Sequence, residues 1–290
     1  MFKGSIVAIV TPFKGGQVDE ESYRELIEFH IENGTSAILP CGTTGESATL
    51  SMAEHAHVID IAVEAVNKRV PVIAGSGGNS TQEAIELTRH ARDAGADATL
   101  QVVPYYNKPT QEGLYRHFKT IAEEVPLPQV LYNIPGRTGL NMLPETVARL
   151  ADLPEVTAIK EASGNLGQMA DIMSLAGDKI TLLSGDDNLT LPVLAIGGKG
   201  VVSVVANIVP RDVADMVGAW EDGAVDRARE LFFKLYPLCK AMFYETNPIP
   251  VKTALALMGK VDGEMRLPMC PMSDNNVEKL RRDLEAYGLV

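Results

Sequence analysis

Cysteine is scarce in this chain and widely dispersed, at positions 41, 239 and 270 only. An odd number with neither Cys-x-x-Cys nor Cys/His ligand spacing excludes a disulfide framework and a structural zinc site. A reducing, cytoplasmic setting is the expectation. Basic residues are in deficit, with 26 Lys and Arg against 38 Asp and Glu for a net charge of −12. Such a chain has no long-range attraction for phosphate backbones or anionic lipid, so nucleic acid and membrane surfaces are not expected partners. Long apolar runs are also missing. The stretch at 6–10 is too short for a signal-peptide core and ends at Thr11-Pro12, and nothing approaches the roughly 20 apolar residues of a membrane span. The five histidines fall in expected helices without the His-Glu-x-x-His arrangement of a metal site, so no metal is expected.

The 290 residues, 46% of them hydrophobic, are enough for a large core. Short Val-, Ile- and Leu-rich runs recur at 5–13, 37–42, 71–77, 98–106, 128–135, 156–163, 180–187 and 200–208. Most lack polar alternation, as parallel strands covered on both faces do. Helical segments follow each run, with starts at Asp19 and at Ser51 and Ser80, each of the latter two with Glu three residues on, and stops at Gly34 and Gly95. Eight β/α units predict a (β/α)8 TIM barrel over 1–222. From 223 to 290 the pattern becomes consecutive helices at 224–244, 248–258 and 273–287, read as a helical C-terminal region docked for packing or assembly.

In such a barrel, reactive groups gather at the C-terminal ends of strands. Lys160 closes the run Val156-Thr157-Ala158-Ile159, where an ammonium is costly to bury. Desolvation frees the amine to attack a ketone and form an imine, while the competing readings are an ion pair with Glu161 or Asp186, or a surface lysine. Glu161, as the next strand residue, projects to the opposite face, which argues against that pair. The turn Gly42-Thr43-Thr44-Gly45-Glu46 is either an anion cradle or simply a structural turn. Tyr132 and Tyr106 offer phenols for proton relay or for packing, and Arg137 a grip on a carboxylate or a surface ion pair. Asp186 and Asp187 read as turn and helix-cap residues.

A set of motifs then occurs in order: Gly4-Ser5 with Val10-Thr11-Pro12, Gly42-Thr43-Thr44-Gly45-Glu46-Ser47, Pro104-Tyr105-Tyr106-Asn107, Leu131-Tyr132-Asn133-Ile134-Pro135 with Arg137-Thr138, Ile159-Lys160-Glu161, Leu183-Ser184-Gly185-Asp186-Asp187 and Asn247-Pro248-Ile249-Pro250. In these the chain resembles, along its whole length, the 4-hydroxy-tetrahydrodipicolinate (dihydrodipicolinate) synthase family of pyruvate-dependent aldolases and lyases. The resemblance implies condensation of pyruvate with L-aspartate 4-semialdehyde in the diaminopimelate route to lysine, without a cofactor other than the covalent imine. It implies that Lys160 carries pyruvate and that Tyr132 passes protons, linked through Thr43 to a Tyr106 supplied by the neighbouring subunit of a tight dimer. Thr44 and the backbone of Val202 would hold the pyruvate carboxylate, Gly185 would line the substrate, and Arg137 would receive the semialdehyde carboxylate. Dimers in such families pair into tetramers. An L-lysine effector site is implied at Ser47, Ala48, His55, Asn79, Glu83 and Tyr105, with Met52 standing where lysine-sensitive relatives often carry histidine. The rival enzymes on this scaffold are N-acetylneuraminate lyase and the 2-keto-3-deoxy sugar acid aldolases. Arg137 and the Thr43-Thr44 pair favour the synthase. A barrel kept only as a metabolite sensor is the reading outside catalysis.

Overall fold

A computed structural model describes residues 2–290. Eight parallel strands follow the chain as β1 (Gly4–Ala8), β2 (Ala37–Leu39), β3 (Ile73–Gly75), β4 (Ala98–Val102), β5 (Gln129–Asn133), β6 (Val156–Glu161), β7 (Thr181–Ser184) and β8 (Gly200–Ser203). Their order in the sheet is β2-β1-β8-β7-β6-β5-β4-β3, so strands consecutive in sequence neighbour one another around a (β/α)8 order. Between them run α1 (Glu20–Glu32), α2 (Met52–Val66), α3 (Thr81–Ala94), α4 (Gln111–Glu124), α5 (Pro144–Leu150), α6 (Leu166–Ala176), α7 (Thr190–Ala195) and α8 (Pro210–Glu221). Three further helices follow, α9 (Val225–Ala241), α10 (Ile249–Leu257) and α11 (Asp274–Tyr287), where three were expected.

The helix starts obey the local chemistry. Asp19 accepts from the Ser22 amide at 3.2 Å, and Ser51 and Glu54 form a reciprocal capping box, with amide-to-side-chain distances of 3.3 and 2.9 Å. Ser80 supplies the first half of the same motif, accepting from the Glu83 amide at 3.4 Å. Gly95 ends α3 at φ +96°, the left-handed conformation expected of it. The strands stop earlier than the apolar runs: β1 ends at Ala8 although residues 9–12 remain buried. Apolar pattern reports burial, and the first residues of these loops are buried without being paired in a ladder.

Two compact units are distinguished. The first comprises Pro71–Val202 with the N-terminal residues up to Gly4. Here β5 and β6 align Tyr132 with Lys160 and Asn133 with Glu161, and β7 aligns Leu183 with Lys160. Leu131, Ile159 and Leu182 enter a cluster with Leu114, Phe118, Met169 and Ile172 of α4 and α6. Since side chains alternate along a strand, Tyr132 and Lys160 lie on the face away from those helices, and Glu161 shares the face of Ile159.

The second unit comprises Ser5–Val70 and Ser203–Val290. Asn207 ties the loop after β1, accepting from the Val10 amide at 3.1 Å and donating to the Ala8 carbonyl at 2.9 Å. The C-terminal helices are fastened by Asp212 of α8, whose Oδ2 accepts from the Tyr287 hydroxyl at 2.5 Å and the Lys234 ammonium at 2.6 Å. Tyr244 adds a 2.6 Å bond to Asp283.

Candidate active site

In the first unit, Lys160 stands near the end of β6 with 6% of its surface exposed. Its Nζ lies 4.1 Å from the centre of the Tyr132 ring, one strand away. The ring face attracts a cation, while burial shifts the balance toward the neutral amine relative to an ordinary lysine. Burial pulls the Lys160 pKa from 10.5 down to about 8; Asp186 and Asp187 oppose that fall, while Arg137 adds to it. At neutral pH this raises the free-amine fraction roughly 300-fold over an ordinary lysine. Burial in turn pushes Asp186 up to about 6, against the attraction of Lys160. The group is a desolvated amine beside a phenol, the pairing needed for imine chemistry.

Asp186 was expected to cap a helix. It precedes the short turn Asp187–Leu189, and its side chain makes no cap bond there. Its carboxyl instead acts electrostatically on Lys160, the partner that the ion-pair alternative for that lysine names. The signal available in the sequence was two acids directly after Ser184-Gly185 at a strand end. Gly185 is sterically required: a Cβ there would sit 2.6 Å from the Ala162 Cβ, and its amide donates to the Glu161 carbonyl at 2.8 Å. Val202 is buried in β8. Arg137 sits on the one-turn helix Pro135–Thr138 and is exposed, close enough to disfavour a proton on Lys160.

Tyr106 departs from the rest of this unit. Its side chain is 90% exposed and its backbone lies at φ +71°, a conformation costing a bulky residue on the order of 1 kcal/mol. The loop is pinned on both sides, with Asn79 donating to the Tyr105 carbonyl at 3.3 Å and Asn107 to the Asn79 carbonyl at 2.8 Å. Asn79 and Tyr105, two of the residues expected at an effector site, are thus adjacent, with Glu83 exposed on α3.

In the second unit the Gly42–Glu46 turn follows β2. Its backbone folds on itself through Gly45 N to Gly42 O and Glu46 N to Thr43 O, each 3.1 Å. Gly45 is enclosed, since a Cβ would meet the Ile9 carbonyl at 3.1 Å and the Thr11 hydroxyl at 3.2 Å. Thr11 also donates to the Gly45 carbonyl at 2.8 Å. The buried Thr44 hydroxyl accepts from Asn247 at 3.0 Å, and Thr43 is half-buried. Behind the turn, Glu46 is held at φ +53° by a fully buried ion pair with Lys252 at 2.5 Å. Lys252 also donates to the Glu264 carbonyl at 2.7 Å, and burial draws its pKa down. Sequence reasoning missed Lys252 and gave Glu46 and Asn247 no role of their own within the motifs that contain them, since the partners lie more than 200 residues apart. Ser47 and Ala48 form the short turn Ser47–Thr49, and the His55 carbonyl accepts from the Cys41 thiol at 3.6 Å.

The profile of the Dihydrodipicolinate synthetase family matches residues 1–287. The chain is 60% identical, over the full length of both proteins, to the 4-hydroxy-tetrahydrodipicolinate synthase of Thermodesulfovibrio yellowstonii. Among solved structures, the chloride-inhibited dihydrodipicolinate synthase of Acinetobacter baumannii complexed with pyruvate superposes with a TM-score of 0.98, at 47% identity and full coverage of both chains. The enzyme of Cyanidioschyzon merolae with lysine bound gives 0.97 at 45% identity, covering 100% of this chain and 99% of that one. These superpositions agree with the strand order in assigning the (β/α)8 barrel with its C-terminal helices. A buried lysine beside a tyrosine, the glycine-bounded Thr-Thr turn and full-length identity at this level converge: the chain belongs to the dihydrodipicolinate synthetase family.

Proposed function

We propose that the enzyme condenses pyruvate with L-aspartate 4-semialdehyde to give 4-hydroxy-tetrahydrodipicolinate. The observation that carries this reading is the desolvated Lys160 amine 4.1 Å from the Tyr132 ring. The amine attacks the pyruvate C2 carbonyl and water leaves, giving the imine. Loss of a methyl proton places the electron pair on the resulting enamine. Its terminal carbon attacks the aldehyde, whose oxygen takes a proton, and the product's own amine then closes the ring and displaces Lys160. Tyr132 is the proton donor and acceptor at these steps, with Thr43 and a Tyr106 from a second copy of the chain completing the relay. The 90% exposure of Tyr106 in a conformation unfavourable for tyrosine supports the partner's need for it. Thr44, with Val202 and Gly185, holds the pyruvate end of the substrate, and Arg137 binds the semialdehyde carboxylate. Assembly is a tight dimer, pairing to a tetramer.

Full-length relatives bearing the synthase name favour this over the sugar-acid lyases on the same scaffold. The test is borohydride reduction in the presence of pyruvate followed by peptide mass spectrometry, then turnover assays with aspartate semialdehyde and with N-acetylneuraminate. Reduction should fix pyruvate on Lys160, with turnover of the semialdehyde alone. An unmodified Lys160 would refute the mechanism, and turnover of N-acetylneuraminate the substrate.

L-lysine is proposed as an effector, bound through Ser47, Ala48, His55, Asn79, Glu83 and Tyr105. The C. merolae enzyme, whose structure has lysine bound, supports it. Exposed Met52 stands where lysine-sensitive relatives often carry histidine, so inhibition is expected to be weakened or altered here. Condensation rates unaffected by millimolar L-lysine would refute the effector role. A reducing cytoplasmic setting suits the three free cysteines, and no helix among the described residues is long and apolar enough to cross a membrane.

A further inference from the structure

On the opposite face of β6 from Lys160 the side chain of Glu161 is fully buried. Its carboxylate collects three donors from three different segments. Asn133 of β5 donates Nδ2 at 2.9 Å, the Ser163 amide of the following loop donates at 2.7 Å, and Gln168 of α6 donates Nε2 at 3.3 Å. The donors are themselves held. Asn133 accepts from the Met142 amide at 3.0 Å and donates to Asn141 at 2.8 Å, while Asn141 donates to Gln168 at 2.7 Å. Through its carbonyl Glu161 also receives the Gly185 amide, and the Asn133 carbonyl receives the Ala162 amide at 2.9 Å.

This network sits one residue away from the reacting pair on both strands. Asn133 follows Tyr132, Glu161 follows Lys160, and the two pairs are consecutive rungs of one ladder. Burying an acid behind a catalytic strand is costly unless each lone pair is met, and here the donors come from elements that would otherwise move independently. Glu161 projects to the face opposite Lys160, and its bonds to Asn133 and Gly185 are the contacts by which it bears on the reacting pair.

We propose that Glu161 is a positioning residue: its carboxylate locks the β5–β6 rung through Asn133 and thereby sets the Lys160 amine against Tyr132. The inference rests on the Schiff-base reading of Lys160. It predicts that polarity matched across the rung matters more than the identity of either residue. Glu161→Gln must set its amide NH2 against a donor, either the Asn133 NH2 or the Ser163 N–H, and Asn133→Asp sets carboxylate against carboxylate. The double swap restores an N–H to oxygen bond, with the Asn141 and Gln168 amides turned over.

The experiment measures, in the full-length enzyme, the rate of borohydride-trapped pyruvate on Lys160 across neutral to alkaline pH, with condensation kcat and KM and thermal melting. Each single variant should lower trapping rate and kcat by roughly 10- to 100-fold, as misplacement of a reacting group does, with KM for pyruvate changing by only about 3-fold. The double swap should recover kcat to within about 5-fold of wild type, a non-additivity that a purely structural loss would not show. Should a single variant fail to fold, Gln168→Met, which removes one donor at the rim, should still slow trapping by about 3-fold. Trapping and kcat unchanged in the folded variants, or a double swap as impaired as the product of the singles, overturns the proposal. A wild-type chain that traps no pyruvate overturns the Schiff-base reading and this inference with it.

Discussion

Replacing Lys160 by methionine should make the protein more stable while abolishing imine formation. The ammonium is disfavoured in the folded state, where its pKa falls from 10.5 to about 8. That fall corresponds to about 3 kcal/mol, borne in full by the folded protein below pH 8. The sign follows from proton binding. Between pH 8 and 10.5 the unfolded lysine holds a proton that the folded one has released, so stability rises with pH across that window and the full cost applies below it. Methionine keeps a similar length and removes the charge, so at neutral pH Lys160→Met should gain up to about 3 kcal/mol, less whatever packing it loses. At roughly 2 °C per kcal/mol for a chain of this size, the melting temperature should rise by up to about 6 °C. The assay is paired thermal unfolding of wild type and variant at pH 7 and near pH 10, with borohydride trapping alongside. The advantage should be largest at pH 7 and shrink as pH rises. A variant no more stable than wild type at pH 7, or an advantage that does not narrow, would refute the desolvation argument.

Three other perturbations address separate parts of the site. Arg137→Ala should raise the KM for aspartate semialdehyde by about 10- to 100-fold, the worth of a charge-assisted pair, while pyruvate trapping stays near wild type; steady-state kinetics with each substrate varied distinguishes the two. Tyr106→Phe should cut kcat by at least about 100-fold without lowering the melting temperature, because in the proposed relay the exposed hydroxyl passes protons and adds little to the fold; a kcat within a few-fold of wild type would remove Tyr106 from the relay. Lys252→Met should destabilise the protein by about 3–5 kcal/mol in urea unfolding, since Glu46 is left buried without its cation, and adding Glu46→Gln should recover much of that; equal loss in single and double variants would count against the pair.

Where sequence was sufficient, the governing interaction was local. A period of two along β6 places Lys160 and Glu161 on opposite faces, and Ser51 and Glu54 lie close enough in the chain to cap α2 whatever surrounds them. Apolar runs following helical segments eight times over likewise imply the barrel order, because neighbouring strands in that fold are neighbours in the chain. The reach of the pattern ended at the loops. Residues 9–12 look like strand because they are buried, and only hydrogen bonding shows that the β1 ladder stops at Ala8. Tertiary structure alone decided which polar groups meet. Asp186 reads from the sequence as a turn or cap residue or as a partner of Lys160, and only the fold decides for the lysine; Thr44 and Glu46 find Asn247 and Lys252 across more than 200 residues of chain. Tyr106 is the complementary case, its exposure and left-handed backbone invisible to any periodicity. Periodicity records which face of an element is buried; the depression of the Lys160 pKa depends on what charge and how little water share that face, and those are set by chain closure in space.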